Sequence, residues 1–595
     1  MKNTITLYFR IVGFLVCCSF AAVSLQAQDL GNVVQQARSL GRQPLEITGG
    51  MSFSNNSYFS NGIDPRRDAL QWRIMANLNL SYAGITAPFS LAFSDANRQF
   101  NLPSYAFTGI SPTYKWARLH LGDRNIDFSK YTLNAINFRG VGLELQPGRF
   151  YFGSMYGQLR RAVAEDFQSQ QNLDPSFRRM GYGFKAGYAG EGFEYRLMVF
   201  GAYDEPGSIQ QPTTRLVLPG DNAVVSLHGN HQLAKKIGVE VEIARSASNL
   251  DRRLDLLTTT DQNIGNTLLG LLKPTVSVQS GTALRSKISY QARGFGLNGG
   301  YERIERGFKT MGALFFLSDV EYITAGINKS LFKSKLNLFT NGGVERTNID
   351  DFRKNGTQRL VGSLNASYSP GERWAFNGSF SNFQNTSKLR AFTDPTALVD
   401  SIILAQTTQT ANIAFTYNIA SEGNPSSLTL ALTQQQANSI VDDVVQNDAE
   451  TRFFNGSLIY SLSIPKKDMR FNSSVNVNQT SLAGFNNFVL SPNISLTKGF
   501  LDKRLQTNAR VSYNHVFIPD GQNTAVLNFG LGGSWQLNKL HSLSLNTNFI
   551  NRFSTTDTAG YSELFGQLMY NYRFSRNLRL SAQAAAPSTG TPARQ

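Results

Sequence analysis

The sequence predicts an all-β protein, a transmembrane antiparallel β-barrel. Three observations predict it: an export leader that carries both cysteines, period-two alternation in segments of membrane-spanning length, and connections that sort into a short and a long set.

Lys2 and Arg10 precede the apolar run Ile11 to Val23, and the stretch closes on Ser24-Leu25-Gln26-Ala27-Gln28. The run is about thirteen residues against the roughly twenty that a spanning helix needs, so residues 1–27 read as a signal peptide cleaved after Ala27. Cys17 follows Val16 and Cys18 follows Cys17, without the small residue expected before a lipid-modified cysteine. Since both cysteines leave with the leader, a disulfide framework and a thiolate metal site are excluded. No later apolar run reaches helix-spanning length, so any crossing of a bilayer must be made by strands. Residues 28–48, polar as far as Gln43, read as a periplasmic segment with a short helix. The barrel is then assigned to 49–583, and the Pro/Ala/Thr-rich 584–595 to a tail.

Strands are visible as alternation. Trp72, Ile74, Ala76, Leu78, Leu80 and Tyr82 interleave with Arg73, Asn77, Asn79 and Ser81, with an aromatic at each end. A tilted spanning strand needs about nine to eleven residues and interfacial aromatics, and this segment has both. The pattern recurs at Phe89, Leu91 and Phe93, and at Val239, Val241 and Ile243 against Glu240 and Glu242. It recurs again at Ile413 to Ile419, Leu458 to Ile464, Leu505 to Tyr513 and Leu568 to Phe574. Gly (51), Phe (42) and Tyr (22) are abundant, as alternating lipid-facing and lumen-facing strands require.

Tight turns are predicted at Ala83-Gly84, Pro147-Gly148, Gly190-Glu191-Gly192, Lys235-Lys236, Phe332-Lys333-Ser334, Pro370-Gly371, Pro465-Lys466-Lys467, Asn538-Lys539 and Ser575-Arg576. Longer polar connections are predicted at Asp204 to Asn222, Asn249 to Thr275, Ser387 to Thr407 and Gly484 to Phe488. Such an asymmetry puts the short turns in the periplasm and the long loops outside the cell. Turns recur at roughly forty-residue spacing, which implies about 24 to 28 strands. Propeller blades could share the period but need four short strands in it, and they leave the aromatic ends unexplained. A barrel this wide is not filled by its own inward side chains, so it should enclose a channel. The Leu-rich stretch from Asn249 to Leu272 reads either as a short helix pair in an external loop or as a segment folded into the lumen.

The formal charge of +16 falls to about +14 once Lys2 and Arg10 leave, yet only 16% of residues are charged and the basic ones are scattered, which excludes a nucleic-acid face. Charge on a lipid-facing position would cost roughly 2 to 4 kcal/mol at mid-bilayer for Arg or Lys. Arg73, Arg118, Glu240, Glu242 and Arg510 are therefore assigned to the lumen wall, where they would tune what passes. His228 and His231 are three apart, so on a strand they face opposite ways and cannot share a metal. Asp350-Asp351 and Asp442-Asp443 lack the spacing of a calcium loop. No nucleophile sits in a motif with a histidine base, and no phosphate loop follows a strand. Neither an enzyme activity, a cofactor nor a metal is expected.

Leu121-Gly122-Asp123-Arg124, followed by Phe138-Arg139-Gly140-Val141-Gly142-Leu143, resembles over about thirty residues the wall of fimbrial ushers, with Asp123 and Arg124 in a special loop. No immunoglobulin-like plug or C-terminal domains of the usher kind can be placed. The Gln-rich leader end, tight basic turns and Gly/Phe/Tyr/Asn-rich strands resemble, over almost the whole mature chain, large outer-membrane barrels of Bacteroidota. The chain departs from many such barrels by not ending on an aromatic residue. The resemblance implies an outer-membrane protein in contact with lipid and with the barrel-insertion machinery. Such a protein would form a wide channel for solutes or for export of a surface polypeptide, or else anchor a surface protein through its long loops.

Overall fold

The computed structural model describes residues 45–94, 107–165, 175–213, 216–257, 268, 270–313, 316–350, 355–389, 402–419, 423–441, 444–482, 485–519, 523–553 and 559–578. The leader, Asp351, Asp442-Asp443 and the tail lie outside the described residues.

The chain forms strands β1 (Leu45–Asn61), β2 (Leu70–Tyr82), β3 (Ile85–Ser94), β4 (Phe107–Ile110), β5 (Thr113–Tyr114), β6 (Ala117–Asn125), β7 (Asn137–Leu145), β8 (Phe150–Arg160) and β9 (Arg179–Gly190). Its middle third adds β10 (Phe193–Asp204), β11 (Asp221–Leu233), β12 (Ile237–Asn249), β13 (Val278–Ala292), β14 (Phe295–Ile304), β15 (Val320–Leu331), β16 (Leu336–Thr347), β17 (Asn355–Tyr368) and β18 (Trp374–Leu389). The last are β19 (Ile402–Ile419), β20 (Ser426–Val441), β21 (Val444–Ile464), β22 (Met469–Leu482), β23 (Phe485–Phe500), β24 (Leu505–Phe517), β25 (Thr524–Gln536), β26 (His541–Arg552) and β27 (Tyr561–Leu578). Apart from β4 and β5, each pairs antiparallel with its sequence neighbour. β4 and β5 are two pieces of one stave, since both pair with β3 and with β6. Pro112 lies in the gap between them and has no N–H to give the ladder. β1 closes on β27 from Leu45↔Leu578 to Asn61↔Ser562, so 26 staves form a closed barrel. Closure pairs every edge, which a sheet in hydrocarbon requires.

Side-chain alternation sorts the two faces. Val239, Val241 and Ile243 point away from Glu240 and Glu242, and Ile243 leaves 47% of its surface uncovered. Leu197, Leu227, Ile288, Ile323 and Ile413 are likewise exposed on that side. A contiguous exposed apolar belt of this extent is a lipid-facing surface. Rings gather at its short-turn rim: Phe150 meets Tyr188 at 4.8 Å, Trp374 meets Tyr417 at 4.2 Å and His541 meets Tyr572 at 4.6 Å. These are the interfacial girdle.

The connections sort by rim, with two exceptions: those after β20 and β22, on the long-loop rim, span only two residues each. The turns after β2, β5, β7, β9, β11, β13, β15, β17, β19, β21, β23 and β25 are short, and the other rim carries the longer loops. Phe332, Lys333 and Ser334 all sit at positive φ (53°, 56°, 67°), a left-handed hairpin geometry that matches strand twist. Three expectations need correction. Ser575-Arg576 is not a turn: both lie inside β27, opposite Thr48 and Ile47, because β1 runs far enough to hold that strand in register. The predicted loop from Gly484 to Phe488 is strand from Phe485 onward, since Phe485 to Phe488 pair with β22. Between Ser387 and Thr407, β18 continues to Leu389 and β19 starts at Ile402. The first strand also opens at Leu45, before the predicted start of the barrel, where Gly49 and Gly50 weaken the apolar alternation.

Candidate functional site: the lumen and its straps

The polar face of the wall is the interior, because the opposite face carries the exposed apolar belt. Residues 126–136, between β6 and β7, turn inward and bury Ile126, Phe128, Leu133 and Ile136 against Met155, Leu159, Met198 and Phe200. Tyr131 of the same strap is fully enclosed with Phe308 and packs against Val224, Ala244, Ala283 and Ile304. The Tyr131 and Phe308 rings meet edge-on at 5.8 Å.

A second strap, residues 305–319 between β14 and β15, locks onto the first. Thr310 Oγ1 donates to the Thr132 carbonyl at 2.7 Å, and Asn134 N–H donates to the Gly312 carbonyl at 2.8 Å. Gly312 passes so close that a Cβ there would collide with the Thr132 carbonyl, so only glycine permits the crossing. Asn222 tethers the second strap to the wall, donating to the Lys309 carbonyl at 2.9 Å and accepting from Met311 N–H at 3.0 Å.

The wall beneath the straps is charged. Glu302 accepts from Tyr131 Oη at 2.7 Å and Lys130 Nζ at 2.6 Å. Glu242, 2% exposed, accepts from Ser226 Oγ at 2.9 Å, and Glu240 pairs with Arg285 and lies 3.5 Å from His228 Nε2. Nearer the short-turn rim, Glu144 gathers Lys185 (3.0 Å), His120 (3.1 Å) and Arg118 (3.8 Å). Burial holds the Tyr131 hydroxyl above its ordinary pKa, and the charge and hydrogen bond of Glu302 add to the shift, with Glu242 reinforcing and Arg285 opposing.

A raised phenol pKa means that the released strap loses its proton first. This stabilisation is therefore complete below about pH 10, the unfolded value, and drains away as the pH climbs above it. Proteolysis of the 126–136 segment in the native chain is expected to accelerate between about pH 10 and 12. Tyr131→Phe, which keeps every other titrating group, should show a smaller acceleration across the same window. Identical pH profiles would remove Tyr131 from the account.

Of the five charged residues assigned to the lumen from sequence, Glu240 and Glu242 share the inner face of β12 with Ala244, which packs on Tyr131. Arg118 lies on the His120 side of β6, 3.8 Å from Glu144. Arg73 stands opposite Ser54 and Ser94, and Arg510 opposite Ser495 and Gly530. The structure thus gathers Glu240 and Glu242 with Arg285 and leaves Arg73 and Arg510 apart from that cluster. His228 and His231 face opposite ways, His231 stacking on Phe193 of the outer girdle at 6.2 Å.

Asp123 and Arg124 do not form a loop. Both lie in β6, since Gly122 at φ +87° bends the strand without ending it. They project to opposite faces: Asp123 is forked by Arg139 (2.8 and 3.1 Å) and capped by Thr108 N–H at 3.0 Å, whereas Arg124 reaches Ser90 Oγ at 2.8 Å. Nor do the described leucines at the end of the Leu-rich segment after Asn249 enter the lumen. Its Leu268 and Leu272 pack on Ala223 and Ala247, on the outer face of β11 and β12, and Tyr182 reaches the Leu271 carbonyl at 3.5 Å. The straps that do enter the barrel were not anticipated. A signal was present in Ile126, Phe128, Tyr131, Leu133 and Ile136, an apolar density too high for a solvated loop.

No protein-family model matches the chain, and no curated protein matches it. Among solved structures, the outer-membrane protein OpdK from Pseudomonas aeruginosa overlaps 61% of this chain and 95% of its own, at 10% identity and a TM-score of 0.30. The translocation pore of the P pilus usher PapC overlaps 89% of this chain and 99% of its own, at 11% identity and a TM-score of 0.24. A bacterial polysaccharide outer-membrane secretin overlaps 50% and 91%, at 11% identity and a TM-score of 0.24. Scores this low put no functional weight on any of these neighbours.

Proposed function

We propose that the chain is an outer-membrane channel, wide, narrowed on one side by its two inner straps, and passing solutes or exporting a surface polypeptide. The observation that carries this reading is a closed 26-stave wall with an apolar exterior and a polar interior. The interior is occupied beside β7 to β15, where the straps are buried, and the inner side chains of β18 to β23 remain accessible to water. Barrel walls of this kind conduct along their polar face. Export, insertion by the barrel-assembly machinery and contact with outer-membrane lipid belong to the same proposal. The purified chain, shown folded by heat-modifiable gel mobility, should give discrete conductance steps in planar bilayers. A folded chain that gives none overturns the open channel.

A second reading, a barrel that anchors a surface protein, draws on one feature. Leu250, Leu254 and Leu256 stay exposed in the connection after β12, Leu256 with 54% of its surface bare. Exposed leucines in a surface loop favour a protein contact. Deletion of residues 249–275 should then release a co-purifying partner, and an unchanged pull-down excludes this version.

A further inference from the structure

The lumen wall is divided by chemistry. Beside the straps it is lined by ion pairs, but the inner positions of β18 to β23 whose side chains are described carry one charge, that of Arg470 near the short-turn rim. The rest of that wall is built largely of Asn, Ser, Thr and Gln. These side chains bond one another along the sheet: Thr433 Oγ1 donates to Asn412 Oδ1 at 2.8 Å, Asn412 Nδ2 to Ser379 Oγ at 3.1 Å, and Ser457 Oγ to Asn476 Oδ1 at 2.7 Å.

At one edge of this surface, towards the short-turn rim, lies a hollow of about 580 Å³. Asn328, Asn337, Asn365, Asn377 and Asn412 line it around Phe339. Phe339 stands on the inner face, opposite Asn328 and Asn365, with 44% of its surface bare. Asn365 and Asn377 are exposed and make no side-chain hydrogen bond among the described residues.

A bare ring on a watery wall costs hydrophobic free energy and is not needed to face lipid. An apolar surface flanked by a few convergent polar groups is the composition of a ligand site. Each amide offers two donors and an acceptor, which suits a ligand rich in groups that both give and accept hydrogen bonds. The one charged lining residue, Lys329, alternates with Asn328 and lies over Phe295 on the other face of the wall, so the inner face of the hollow carries no charge, which disfavours an ionic ligand that would need a counter-charge when desolvated. We infer that this hollow binds neutral, polyhydroxylated chains, that is, uncharged oligosaccharide, with Phe339 as the platform for a sugar ring and Asn365 and Asn377 as its hydrogen-bonding partners. This rests on the channel reading and specifies its cargo.

The test uses the purified full chain in planar bilayers, with linear uncharged glucose oligomers, acidic uronate oligomers and an unfolded cationic peptide added from the short-turn side. Glucose oligomers should interrupt the current in a concentration-dependent manner and acidic oligomers much less. Phe339→Ala should raise the half-blocking concentration about tenfold and Phe339→Trp should restore it. Titration calorimetry of the same oligomers against the folded barrel in detergent separates the two claims. Binding without conductance overturns the channel and keeps the site. Conductance with no sugar block and no binding overturns the site and keeps the channel. Block by the peptide alone, or a Phe339→Ala variant that blocks as the native chain does, also overturns the site.

Discussion

Replacing residues 127–135 by a short Gly/Ser linker is expected to raise single-channel conductance about twofold or more, while the barrel keeps its heat-modifiable gel mobility. The strap fills the interior beside β7 to β15, with Phe128, Tyr131 and Leu133 buried against that run of neighbouring staves. It also holds the second strap, through Thr132 to Thr310 and Asn134 to Gly312, so its removal frees both. The wall does not depend on it, since β6 pairs with β7 from Ala117↔Leu145 to Asn125↔Asn137 and β1 closes on β27 without it. The lost burial should appear as a lower unfolding midpoint, because each buried aromatic contributes about 3 to 5 kcal/mol against truncation. Unchanged conductance would show that ions already pass only along the β16 to β27 wall, and that the strap is a structural brace.

Asp204→Ala is expected to destabilise the folded barrel by about 3 to 5 kcal/mol, read as the shift in urea midpoint of unfolding from lipid vesicles. Asp204 is 2% exposed at the loop end of β10. Arg179 forks it through Nε at 2.9 Å and Nη2 at 3.1 Å, and Arg160 Nη2 adds contacts at 3.2 and 3.3 Å. Removing the carboxylate leaves two half-buried guanidiniums side by side without their counter-charge, and the strand end and the loop from 205 to 220 lose their tether. Asp204→Asn should cost less, as it keeps an acceptor. A shift under about 1 kcal/mol for Asp204→Ala would mean that water solvates both arginines.

The strands and their faces were legible because a β-strand reverses its side chains at every residue. Glu240 between Val239 and Val241 shows its orientation without reference to any other strand. The short turns were legible for a similarly local reason: Ala83-Gly84 and Phe332-Lys333-Ser334 sit between alternating segments and adopt left-handed geometry themselves. Ser575-Arg576 misled because a basic, polar pair reads as a turn, and only its pairing with β1 makes it strand.

Local periodicity therefore determined that this chain is a wide barrel, which residues face in or out, and which rim carries the loops. Tertiary structure alone decided where the loops go. The segment 126–136 turns inward, whereas Leu268 and Leu272 of the Leu-rich connection after β12 lie on the outer wall, although both are apolar connections on one rim. That choice depends on which wall each meets: Gly183 opens space for Phe128 inside, and Ala223 and Ala247 accept Leu268 and Leu272 outside. Tertiary structure also decided that the interior is charged on one side and neutral on the other. Such a division exists only after register has been carried through all 26 staves, because no single strand specifies which others will face it across the lumen.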